Sequence, residues 1–177
     1  MQIRNSLNHF GIITIILHWV IAAILIVLLV FGLYMVGLPI SLEKLKYYGW
    51  HKEYGILALM LAMIRISWRL MNILPSLSIP VWEKVIARLV HWTFYGFMFA
   101  MPISGWLITS SAGLPVSFFG WFVLPNLISP DPILMNLFIQ IHQWLGYGLI
   151  ALICLHTAAA LKHHFIDKDD ILRRMLS

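Results

Sequence analysis

The chain has 177 residues, room for one domain, and 61% of them are hydrophobic while only 11% carry charge. That composition excludes an ordinary water-soluble enzyme and marks a membrane protein. The net charge of +5 is small and clustered at segment ends, so it implies contact with anionic lipid headgroups rather than nucleic acid.

A bilayer crossing needs about 20 helical residues, and four apolar runs reach that length. They predict helices over about 12–38, 50–74, 89–110 and 133–164, making one integral-membrane domain, an all-α four-helix bundle. The first run is too long for a secretory leader, lacks a small-residue cleavage site and holds a histidine, so it is expected to be a mature helix. Between the second and third runs, PSLSIPVWEKVIARLV places prolines at the helix exit and a short amphipathic lead before the third helix. Pro102 is expected to kink the third helix. The connection 111–132 is rich in aromatic residues and has no Lys or Arg, which suits the membrane interface or a cap over the space between the helices. Nine of the Lys and Arg residues flank the two termini and the second connection, against Lys44, Lys46 and Lys52 on the other side. The positive-inside rule then places both termini in the cytoplasm. Cys154 stands alone and no CxxCH occurs, which excludes a disulfide framework and covalent c-type haem attachment.

Histidines within membrane spans are costly and face the bundle interior where they serve a function. His18 and His156 fall at one depth, toward the cytoplasm, and His51 and His142 at another, toward the outside. His142 and His156 are fourteen residues apart, a rise of about 21 Å and nearly four whole turns, so one helix face feeds two stacked sites. Each site gains a second imidazole from another helix, which is the ligand set of a b-type haem clamped from both faces. Four residues after these histidines stand Ala22, Gly55, Gly146 and Ala160, small enough to let a porphyrin lie close. The other histidines lack that neighbour.

Arg65 and Arg69 continue the His51 stripe toward the cytoplasm, where a guanidinium serves equally as a haem-propionate partner or a headgroup anchor. His91 starts the third helix, within reach of a propionate or a quinone. His163 lies beyond His156 at the cytoplasmic edge, where an imidazole could handle protons for a quinone. The other class of function that fits intramembrane histidines is a metal or proton transporter, but that would be expected to bury carboxylates mid-membrane, and none falls there.

Several segments resemble the bacterial cytochrome b561 family, which is related to the cytochrome b subunits of nickel-iron hydrogenases. They are ILHW at 16–19, HKEYGIL at 51–57, RISWRL at 65–70, HWTFYGFMFAMPISGW at 91–106, and the long run from HQWLGYG at 142 to the RRML ending at 173–176. The resemblance covers nearly the whole chain. It implies an inner-membrane cytochrome with two haem b groups, ligated by His18 with His156 and by His51 with His142. It also implies electron transfer with ubiquinone, with His163 at the quinone side. One branch of the family takes electrons from superoxide, so a small molecule or a protein on the outer side would be the donor. A quinone-linking anchor subunit of a hydrogenase or dehydrogenase is the alternative within the same chemistry.

Overall fold

A computed structural model describes residues 2–76 and 79–176. Four long helices run α1 (Ile12–Val36), α2 (Leu42–Leu70), α3 (Val81–Ser111) and α4 (Pro132–Lys162). They alternate up and down, so both termini and the α2–α3 connection share one end of the bundle. Hydrogen bonds tie that end together: Asn5 donates to the Ile73 carbonyl, Ser76 to that of Leu7, and Arg174 to that of Ser76.

Two helices start earlier than hydropathy suggests. Ser41 accepts the Lys44 backbone N–H at 3.1 Å and caps α2, with Glu43 in the first turn complementing the helix dipole. Residues 42–49 are too polar to join the apolar run, yet the cap sets the helix start at Leu42 instead of 50. Similarly, the amphipathic lead at 81–88 is continuous with α3, whose first turn carries Glu83; residues 77 and 78 of that connection lie outside the described residues. α3 also runs on through Pro102. Lys44 Nζ closes the α1–α2 turn by donating to the carbonyls of Val36 and Leu38, at 3.1 and 2.6 Å. Before α1, Gly11 lets the chain fold back tightly, since a Cβ there would run into the Ile3 and Arg4 backbone. α4 has the best-built start, with Pro132 at its first position and Asp131 accepting from the Ile133 and Leu134 N–H groups.

The aromatic connection is not wholly irregular. Two short antiparallel strands, β1 (Val116–Phe118) and β2 (Phe122–Leu124), form a hairpin, so the all-helical expectation needs this addition. Val116 and Phe118 are buried against Ile56, with Trp106 packed beside them, while Trp121 is 81% exposed. The hairpin thus caps the bundle on one side and offers aromatic rings outward on the other.

The core is small and central. Ile21 and Leu25 of α1, Ala62 of α2, Tyr95 and Met98 of α3 and Leu149 of α4 form one buried cluster. Much of the remaining apolar surface faces outward, as at Val27, Val30 and Leu155. Among the described residues, only α1 and α4, the latter with the turn that follows it, are long and apolar enough throughout to cross a membrane. α2 and α3 have the length but carry charges near their ends.

Candidate haem sites

Two pairs of imidazoles meet inside the bundle. At the end bearing the termini, the rings of His18 and His156 lie 6.3 Å apart, centroid to centroid, and cross at 63°. At the hairpin end, those of His51 and His142 lie 6.2 Å apart and cross at 79°. Two imidazoles held to one metal from opposite sides, through nitrogens about 2 Å from it, place their centroids roughly 6 Å apart. Both pairs meet that requirement, and the central apolar cluster separates them.

The hairpin-end pair fits a porphyrin in further ways. A cleft runs between His51 and His142, lined by Gly55, Pro102, Gly105 and Trp106 among others. A Cβ added at Gly55 would meet no protein atom within 4 Å, so this glycine faces the cleft and not a neighbouring helix. Gly32 and Gly105 bring helix backbones against the rings; a Cβ at either would lie 3.2 Å from His51 Cε1 or 3.4 Å from His142 Cε1. Ser104 meets the ring of His142. Its hydroxyl lies 2.8 Å from the Met101 carbonyl and 2.8 Å from His142 Nδ1. With the hydroxyl proton on Met101, Nδ1 carries the ring proton and Nε2 keeps a free lone pair, the tautomer that a metal ligand requires. His51 Nδ1 is buried with no hydrogen-bond partner.

The pair at the other end has a different neighbour. Arg65 Nη2 lies 3.0 Å from His18 Nδ1. A guanidinium only donates, so in this arrangement the His18 proton sits on Nε2. Ligation through Nε2 requires Arg65 to exchange the ring for another acceptor, and a carboxylate such as a propionate is the acceptor it pairs with best. Arg65 therefore points into the bundle rather than toward headgroups. Arg69 places its guanidinium 5.7 Å from the ring centroid of buried Tyr95. His91 is close as well, its centroid 6.0 Å from that of His156, so three imidazoles and two guanidinium groups converge here.

His163 sits about two turns beyond His156, in a π-helical turn (His163–Asp167) closed by Lys168 in the left-handed region, φ 55°. The turn brings Asp169 back, and its carboxylate lies 2.7 Å from His163 Nδ1, with that of Asp167 at 3.2 Å. Asp167 also pairs with Lys162 at 2.7 Å, which reaches Glu83 of α3 at 3.5 Å. Ser104 and Asp169 escape a reading of the sequence alone. A serine within an apolar helix is the one signal that could have pointed to Ser104.

Crossed imidazoles thus stand in pairs at two levels of the helical bundle, an arrangement that a b-type cytochrome would use for its haem ligands. Comparison with known proteins agrees: residues 9–177 match the prokaryotic cytochrome b561 family, and the chain belongs to that family of membrane b-type cytochromes. It is 38% identical over 188 residues to cytochrome b561 homolog 2 of Escherichia coli K12, covering 99% of this chain and 95% of that protein. It is 37% identical over 100 residues to homolog 1 of the same organism, covering 55% and 54% respectively. A third relative, the probable superoxide oxidase CybB of Yersinia pestis, is 32% identical over 129 residues, covering 71% of this chain and 72% of its own.

Proposed function

We propose that this protein carries electrons across the bacterial inner membrane through two haem b groups, one held by His51 and His142 and one by His18 and His156, with ubiquinone as redox partner. The observation that carries this reading is the pair of near-equal imidazole separations, 6.2 and 6.3 Å, at two levels of one bundle. The outward apolar surface supports a lipid setting, and the excess of Lys and Arg at the end bearing the termini puts that end in the cytoplasm.

Bound haem supplies reversible one-electron chemistry at iron. The chain does the rest. The four imidazoles orient and hold the rings. Ser104 keeps His142 in its ligating tautomer, and Arg65 and Arg69 offer cations to propionates. The hairpin shields the outer cleft from water through Val116 and Phe118. At the cytoplasmic edge the His163–Asp169 pair can accept and release a proton where quinone chemistry needs one. A small oxidisable donor on the outer side, superoxide in particular, is supported by the likeness to the Yersinia protein.

The test is a reduced-minus-oxidised spectrum of purified protein with its haem-to-protein ratio. We expect a b-type spectrum near two haems per chain, with His142→Ala and His156→Ala each losing a different one. Loss of neither would overturn the reading.

A further inference from the structure

One cluster of ligating side chains lies outside both imidazole pairs. We infer that His163, Asp167 and Asp169 form a binding site for a divalent ion of the zinc class, where the ion competes with the proton for His163. This site stands apart from the two-haem reading and does not depend on it.

Among the described residues these three are the group of histidine and carboxylate side chains whose ligand atoms gather within 4.8 Å of one another. The backbone brings them together. The π-helical turn sets residues 163 and 167 side by side, and the left-handed Lys168 returns the chain so that the Asp169 N–H reaches the His163 carbonyl at 3.1 Å. Asp169 is held in orientation: its Oδ1 accepts from the Ile171 N–H at 3.0 Å, which leaves Oδ2 aimed at His163 Nδ1, 2.7 Å away. Asp167 Oδ2 lies 3.2 Å from the same nitrogen. Donors bound to one tetrahedral ion stand roughly 3.3–3.5 Å apart, so the ring and the carboxylates need to part by less than about 1 Å.

The donor set selects the ion. Calcium and magnesium take oxygen ligands, whereas an imidazole nitrogen beside carboxylates suits zinc and its first-row neighbours. Three protein ligands leave the fourth position to water. A carboxylate only accepts, so Nδ1 carries the ring proton in its bond to Asp169. The ion takes Nδ1 and the proton passes to Nε2, leaving the imidazole neutral as a ligand must be. Lys162 is the competitor. Its ammonium lies 2.7 Å from Asp167 Oδ2, the oxygen the ion needs, and has Glu83 at 3.5 Å as a second partner. An incoming ion displaces the ammonium toward Glu83, so Lys162 weakens the site, the opposite of its effect in a purely structural ion-pair cluster.

Equilibrium dialysis of the untagged full-length protein in detergent against zinc chloride tests this, with magnesium chloride as the control ion. We expect saturable binding of about one zinc per chain, undisturbed by excess magnesium. His163→Ala and Asp169→Asn should each weaken it at least about tenfold. Lys162→Met should tighten it several-fold, because a positive charge beside a dication is removed. If either ligand variant fails to fold, Lys162→Met still decides. No saturable zinc binding by the unmodified protein would overturn the proposal. So would unchanged affinity in both ligand variants, which marks an adventitious ion only, or weaker binding in Lys162→Met.

Discussion

Gly55 offers a probe that separates protein packing from cofactor packing. An added Cβ there meets no protein atom within 4 Å, and the position lies inside α2, so Gly55→Ala should stabilise the polypeptide by about 0.5–1 kcal/mol through helix propensity. Gly55 nevertheless lines the cleft between His51 and His142. A porphyrin gripped there would lie at van der Waals distance, about 3.5–4.0 Å, from the glycine, so a methyl group presses on it and a larger side chain excludes it. Overpacking of this kind costs about 1–3 kcal/mol, or roughly 5- to 150-fold in retention at 1.4 kcal/mol per decade. The assay pairs thermal unfolding with haem stoichiometry for Gly55→Ala and Gly55→Leu. We expect unfolding of the alanine variant to move slightly upward after haem extraction, and the leucine variant to fall from about two haems toward one, losing the His51–His142 site. A leucine variant that keeps both haems and an unchanged spectrum would refute the placement of a ring in this cleft.

Two further outcomes concern the cytoplasmic edge. Asp169→Ala removes the 2.7 Å partner of His163 Nδ1, so quinone reduction should slow several-fold, while dithionite reduction of the haems and their spectra stay unchanged; equal loss in both assays would assign Asp169 a structural role only. Lys162→Met removes the 2.7 Å contact with Asp167 and the 3.5 Å one with Glu83, so the 163–169 amides should exchange faster with solvent deuterium in the variant; unchanged exchange would show that the contact does not hold this turn.

The histidine framework was readable because helical periodicity is strict over an apolar run: fourteen residues between His142 and His156 fix both direction and depth. His18 and His51 follow from depth alone, since each helix crosses once. The partners of these rings were not readable. Ser104 could as well have back-bonded to its own helix and touched nothing else, and only the packing of α3 on α4 reveals that its oxygen also meets His142. Asp169 comes back to His163 through a π-helical turn and a left-handed residue, a local geometry for which residues 163–168 give no sign. Helix starts differ from the hydropathy expectation where the first turns are polar: at 42–49 the Ser41 cap sets the start, and at 81–88 the helix begins directly after Pro80 with no side-chain cap.

The central cluster bears on what the bundle conducts. Leu149 lies seven residues from both His142 and His156, about 10 Å along α4 from each. With Ile21, Leu25, Ala62 and Met98 it forms a plug in which Tyr95 alone has a polar tip. Protons need a chain of hydrogen-bonding groups or water, and such a plug supplies neither. On the two-haem reading proposed above, electrons would pass between the two imidazole levels, and the apolar layer that holds the four helices together would keep proton exchange at the terminal end, where His163 and Asp169 sit, out of that path.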